Sequence, residues 1–390
     1  MVHHIYQQTA GRPINNYGLL TGTMGRALYA YHLYKLVGDT RYLTHTQMLL
    51  EDVFTDLENP ASRFYSDMSL SIGLSGLSFL LTMLQPDAAI LDLDVGNELN
   101  DIDELLYQQT LNLIEANLND FLNGSVGALY TFCLSDRIAA TAYLENLVDA
   151  IFLSAVKENE GYTVKNYLFK RDDDVVNLSL SHGTCGLILV LTEIYKKNIR
   201  RNKVRALIDG LISFMLCHYR QPAATDFNNY CFPSIIWKKE LTEPVDIQVD
   251  ENYKFSRLAW CYGDINQAIT LYRAGAVFGN KRWLKLAHQI GENSAGRKTF
   301  RETALADPFF CHGAAGVAQC NKHLFTLTNN NMYIDAYQYW ISELVDYISK
   351  NDIFNNCETN SVLEGPEGIG LVLISYISPE LDYWGKAVLL

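Results

Sequence analysis

The sequence lacks the positive charge to balance its acids: 31 Lys and Arg stand against 44 Asp and Glu, a formal net charge of −13. That excludes a nucleic-acid partner, since phosphate binding needs a basic face, and it is compatible with a basic peptide. No uninterrupted run of about 18 apolar residues is present, which argues against a bilayer-spanning helix. The opening MVHHIYQQTAGRPINNYG has no basic stretch leading into an apolar one and does not read as a secretory signal. The eight cysteines do not gather at the short spacings of a disulfide framework, so metal binding or catalysis is their expected use and the cytoplasm the expected compartment. Linkers and low-complexity tracts are also missing.

What the sequence does have is a seven-fold echo. Two glycines three apart open an apolar stretch at Gly22/Gly25, Gly73/Gly76, Gly124/Gly127, Gly183/Gly186, Gly313/Gly316 and Gly365/Gly368, and a degenerate copy pairs Gly263 with Asn266. The first glycines are 51, 51, 59, 80, 50 and 52 residues apart. Runs such as GLSFLLTML and GLILVLTEIY follow the pairs and are apolar on nearly every face, as buried helices are. Between them, segments such as TRYLTHTQMLLEDVFTDLE and MYIDAYQYWISELVDYISK repeat apolar residues at three and four, with charges on the remaining face. No single unit of this kind can bury its own apolar face. The expectation is an all-α fold, one closed double barrel of about fourteen helices over residues 1–390. Its inner-helix N-termini all open on one mouth, where their free N–H groups and positive dipole ends collect.

The long fourth interval carries Pro222, Pro233 and Pro244, which argue against continuous helix. Irregular or short β structure is expected near 221–255, placed to wall or cover the mouth.

Equivalent positions in a repeat become neighbours in space. Cys261 and Cys311 each lie two residues before a first glycine, and His182, Tyr262 and His312 each lie one before. Cys261, Cys311 and His312 therefore converge as a three-ligand set suited to Zn²⁺, leaving a fourth position for water or substrate. Two protein thiolates neutralise the ion, and a third, from a substrate, makes the centre electron-rich. A free thiol of pKa near 8.5 is only a few per cent ionised at pH 7, and coordination ionises it outright, a gain of roughly 30-fold or about 2 kcal/mol. His182 is the candidate proton donor or acceptor. Arg257 could steady a developing oxyanion, Tyr262 adds a phenolic donor, and Asp120 could orient His182, touch substrate or cap a helix. Glu364 also precedes a first glycine, without a clear role. Cys217-His218 is out of phase and reads as structural, Cys320 and His323 as packed core, and Cys133, Cys185, Cys231 and Cys357 as buried neutral thiols.

At these residues the sequence resembles the lanthionine synthetase C-like family. The resemblance is carried by Arg257-Leu258-Ala259-Trp260-Cys261-Tyr262-Gly263, Cys311-His312-Gly313, Ser181-His182-Gly183, NDFLNG with Asp120, and the closing LEGPEG. It implies an α/α-toroid of seven inner and seven outer helices, with one Zn²⁺ on Cys261, Cys311 and His312. The implied reaction adds peptide cysteines to dehydroalanine or dehydrobutyrine, giving lanthionine and methyllanthionine rings. His182 would move the proton, supported by Arg257, Asp120 and Tyr262. A dehydrated precursor peptide is the implied substrate, with a separate dehydratase and a peptide transporter as partners. Two alternatives use the same site: glutathione addition to dehydroamino acids in damaged proteins, and a non-catalytic zinc-bearing scaffold for peptides.

Overall fold

The computed structural model describes residues 1–93, 98–168, 175–222, 230–238, 257–305, 307–351, 353 and 359–390. Every glycine copy opens a helix: Thr23–Val37, Leu74–Leu84, Ser125–Leu134, Thr184–Lys196, Asp264–Phe278, Ala314–Thr328 and Pro366–Ile377. The first glycine sits immediately before each one. Its role is close approach. The carbonyl six residues upstream folds back to accept the N–H just after the glycine, as in Thr23 to Asn16 (3.0 Å), Leu74 to Asp67 (2.8 Å) and Ala314 to Asp307 (3.1 Å). A Cβ on Gly22 would lie 2.3 Å from the Asn16 carbonyl oxygen, and one on Gly73 only 2.0 Å from that of Asp67. No side chain fits there. The second glycine makes the same room, for the Leu70 carbonyl at Gly76 and the Val362 carbonyl at Gly368.

A further repeated device fixes this turn. Asn16, Asp67, Asn177 and Asp307 each lie six before a first glycine, and each Oδ1 accepts the N–H two residues on, from Gly18, Ser69, Ser179 and Phe309, at 2.8–3.0 Å. These are Asx turns, satisfying backbone groups that would otherwise be buried without partners.

Amphipathic helices alternate with the glycine-led ones: Thr40–Leu57, Glu98–Glu115, Ile138–Ser154, Arg201–Cys217, Lys281–Gly296 and Asn331–Lys350, with Val2–Thr9 at the start. The glycine-led helices are buried on nearly all faces, whereas Thr40–Leu57 buries only Tyr42, Thr46, Leu49, Leu50 and Val53 along one stripe. The chain gathers into two compact units, residues 1–109, 307–319 and 338–390 in one, and 110–306 with 320–337 in the other.

In each unit the position two before the first glycine forms a backbone ladder. In the first, Cys311 N–H donates to Leu363 C=O (2.8 Å), Leu363 to Leu20 (3.2 Å) and Leu20 to Ser71 (3.0 Å). The seventh copy thus hands on to the first. In the second, Leu122 donates to Ser181 (3.3 Å) and Ser181 to Cys261 (3.5 Å). The residues that share a repeat phase are bonded neighbours.

The long interval holds a short strand, Ile235–Trp237, antiparallel to Val175–Asn177 with Val176 opposite Ile236. Most of 221–255, where irregular or short β structure is expected, lies outside the described residues. One stretch, Leu74–Leu91, is long and apolar enough by composition to cross a membrane, but 56% of it is buried in the protein. The 3₁₀ turn Gln85–Asp87, with Pro86, also interrupts it.

Candidate metal and proton-transfer site

The thiols of Cys261 and Cys311 and a ring nitrogen of His312 lie within 4.8 Å of one another, the one such group among the described residues. Zn–S and Zn–N bonds of about 2.3 and 2.0 Å in a tetrahedron set ligand atoms roughly 3.4–3.8 Å apart. Two sulfurs with one imidazole are a set that zinc favours. These three residues fit a metal ion such as zinc. His312 Nε2 lies 3.2 Å from Asp307 Oδ2, an ion-pair contact, which leaves Nδ1 for a metal. A carboxylate behind a ligand imidazole fixes its tautomer and raises its basicity. Asp307 therefore serves twice, its Oδ1 holding the Asx turn and its Oδ2 the histidine.

Copy five is built differently from the others. Gly263 adopts φ +112°, a conformation in which a side chain would be strained. Asn266 replaces the second glycine and is fully buried. Rather than vacating space for the upstream carbonyls, it binds them: Nδ2 donates to Trp260 O (2.8 Å) and Ala259 O (3.3 Å), and Oδ1 accepts from Leu180 N (3.0 Å). The next turn is anchored by Asp264, whose carboxylate accepts the Cys231 and Phe232 N–H groups at 2.8 and 3.0 Å. It also pairs with Arg297 at 3.4 Å, both side chains being buried. Burial pushes the Asp264 carboxyl up, against the pull of Arg297.

Asp120 reaches His182. Its Oδ2 accepts from His182 Nδ1 at 2.9 Å and from Asn166 Nδ2 at 2.9 Å, and its Oδ1 accepts Asn123 N–H at 2.9 Å. Asn166 also donates to the His182 carbonyl at 2.9 Å, so one amide fixes both members of the pair. With Nδ1 bound to the carboxylate, Nε2 is the ring nitrogen of His182 left for proton exchange. The Tyr262 ring lies 6.3 Å from that of His182, and its hydroxyl accepts from Asn177 Nδ2 at 3.0 Å. Burial pushes the phenol up to about 12, which keeps it neutral. Arg257 is exposed, and no contact with His182, Asp120 or Tyr262 is found among the described residues. Glu364 is exposed too.

The model of the family described as lanthionine synthetase C-like protein matches residues 13–389. The chain belongs to that family. Among solved structures it is similar to one titled "Nisin cyclase", with a TM-score of 0.79 at 18% identity, covering 100% of this chain and 96% of the other. At that identity the likeness shows the fold, the α/α-toroid.

In this lanthionine synthetase C-like chain the out-of-phase candidates are not among the donors of the metal cluster. Cys217 is exposed at a helix end, its thiol donating to Ser213 O. Burial pushes the Cys133 and Cys185 thiols up to about 12 and the Cys320 thiol higher still, and it pushes His323 down to about 3. All four are neutral core groups at physiological pH. Cys357 lies outside the described residues. Reasoning from the sequence missed Asn166, Asn177 and Asp307. Asn177 and Asp307 carried a signal, since they share the position six before a first glycine. Asn166 carried none, because it lies on the irregular segment after the strand Gly161–Thr163.

Proposed function

We propose that this chain is a zinc-dependent lanthipeptide cyclase, joining peptide cysteines to dehydroalanine or dehydrobutyrine. The reading treats residues 1–390 as one catalytic domain acting in the cytoplasm on a precursor dehydrated by a separate enzyme, with a transporter downstream. Its main support is the pairing of a Cys-Cys-His donor set with a carboxylate-held imidazole. When bound to Cys261, Cys311 and His312, zinc would supply the Lewis acidity that keeps an incoming cysteine ionised at neutral pH.

The chain's own residues manage the proton. The substrate S–H bond breaks, a C–S bond forms at the β-carbon of the dehydro residue, and the alkene electrons pass to the α-carbon as an enolate. A proton then returns to the α-carbon, so mass is unchanged. His182 is assigned that delivery from Nε2, Asp120 holds Nδ1, and Asn166 positions both. Neutral Tyr262 offers a hydrogen bond at the enolate. Arg257, exposed ahead of Cys261, is assigned to the substrate's carbonyl or carboxylate groups.

The test is thiol counting by alkylation on the chain's own dehydrated precursor, followed by fragmentation to locate rings. One thiol should vanish per ring at constant mass, faster than with metal-free Cys311→Ala protein. Equal thiol loss and one ring pattern with both proteins would leave only a peptide-binding scaffold. A mass increase from added glutathione, with no rings, would move the substrate assignment to free thiols.

A further inference from the structure

The negative charge of this chain is concentrated. From Phe64 to Asp136 the sequence has eleven Asp and Glu and no Lys, Arg or His. Those 73 residues carry −11 of the net −13. The stretch immediately before it is similar: Thr46 to Ser62 has four acids and no base.

A groove of about 640 Å³ opens on this acidic region. One wall is a face of the helix Thr40–Leu57, where positions 47, 50, 51, 54, 57 and 58 follow helical spacing. Its floor is apolar, from Leu50, Phe54, Leu57 and Ile102. Phe54, Leu57 and Ile102 are only half-buried, so the apolar surface is open to a ligand. The exposed carboxylates of Glu51, Glu58 and Asp92 lie along it, and none of the three makes an ion pair among the described residues. Uncompensated acids beside open apolar surface select for a ligand with the opposite charge and its own apolar side chains.

We propose that this groove docks a cationic, amphipathic segment of the peptide substrate, separate from the residues that react. The proposal rests on the peptide-cyclase reading above. Two or three Lys or Arg meet Glu51, Glu58 and Asp92, while interleaved apolar side chains cover Phe54 and Leu57. Such docking raises the local concentration of the reacting segment by tethering it, and it leaves the reacting groups free to change from ring to ring.

The probe is a fluorescein-labelled peptide of alternating Lys and Leu, without Cys, Ser or Thr, so its binding is independent of ring chemistry. Anisotropy should show saturable binding to wild-type protein that weakens with added salt. Glu51→Lys/Glu58→Lys should bind about tenfold or more weakly, and Phe54→Asp should also bind more weakly. The charge-matched control Glu343→Lys/Asp346→Lys, on the helix Asn331–Lys350, should bind like wild type, as should Cys311→Ala. Thermal melts confirm that each variant is folded. Equal affinity in wild type and Glu51→Lys/Glu58→Lys, or equally tight binding of an alternating Glu and Leu peptide, overturns the proposal. Because the probe cannot react, failure of the cyclase reading leaves this measurement intact: a wild-type protein that forms no rings yet binds the probe through Glu51 and Glu58 keeps the groove and loses only the enzyme.

Discussion

Copies one and five of the repeat solve one problem in opposite ways. In copy one, Gly22 and Gly25 lack side chains so that the Asn16 and Leu19 carbonyls can press in, and the position two before the glycine is Leu20, fully buried packing. In copy five, Asn266 meets with its amide the Trp260 carbonyl, which corresponds to that of Leu19, Gly263 turns to φ +112°, and the position two before it is Cys261. A buried Asp264–Arg297 pair then secures the following turn. The backbone device is shared, and in copy five the ligand loop is held by what departs from it. Copy six keeps the glycine pair Gly313/Gly316 and still presents Cys311 and His312, so the directed bonds of Asn266 are copy five's own way of fixing a ligand loop.

The largest effect should separate the two kinds of copy outright. Cys261→Ala and Cys311→Ala should lose the metal, seen as zinc content falling from about one per chain to near zero, because losing one of three protein ligands leaves the site incomplete. Cys217→Ala should retain it. Full zinc in Cys311→Ala with loss in Cys217→Ala would break the link between repeat phase and ligand position.

Next comes proton transfer. His182→Asn should keep fold and metal but slow ring closure by about 10²- to 10⁴-fold. Wild-type rates in the zinc-replete variant would return His182 to a structural role.

Packing should then show in the glycines. Gly73→Ala puts a Cβ 2.0 Å from the Asp67 carbonyl oxygen and should cost about 2–4 kcal/mol in chemical denaturation. Gly296, with nothing within 4 Å of a Cβ, should tolerate alanine or gain up to about 1 kcal/mol. Similar losses at both positions would mean that the carbonyl approach is not what the repeat glycines serve.

The smallest effect sharpens copy six, where one residue does both jobs. Asp307→Asn keeps an oxygen for the Phe309 N–H but loses the carboxylate behind His312, so zinc affinity should fall by about 10- to 100-fold with the melting temperature nearly unchanged. A competition titration with a chelator measures it. A large fall in melting temperature at unchanged affinity would make Asp307 a turn residue alone.

Much of this was legible in the chain because a repeat converts sequence phase into spatial position. The glycine pairs marked seven helix starts, and the cysteines before Gly263 and Gly313, with His312, were named as one cluster without coordinates. His182 and Asp120 were legible as individuals through the same phase. Their 2.9 Å contact was not, since Asp120 lies four residues before its glycine and His182 one before.

By itself, then, the sequence determined the helical periodicity, the repeat, the turn glycines and the identity of the donor atoms, all of which follow from short-range backbone geometry and side-chain chemistry. Only the tertiary structure decided which amides sit behind those groups. Asn166 reaches Asp120 across 46 residues, Asn177 reaches Tyr262 across 85, and Asn266 reaches Leu180 across 86. An amide's role depends on which carbonyl or carboxylate the fold carries to within about 3 Å of it, and no local pattern specifies that meeting.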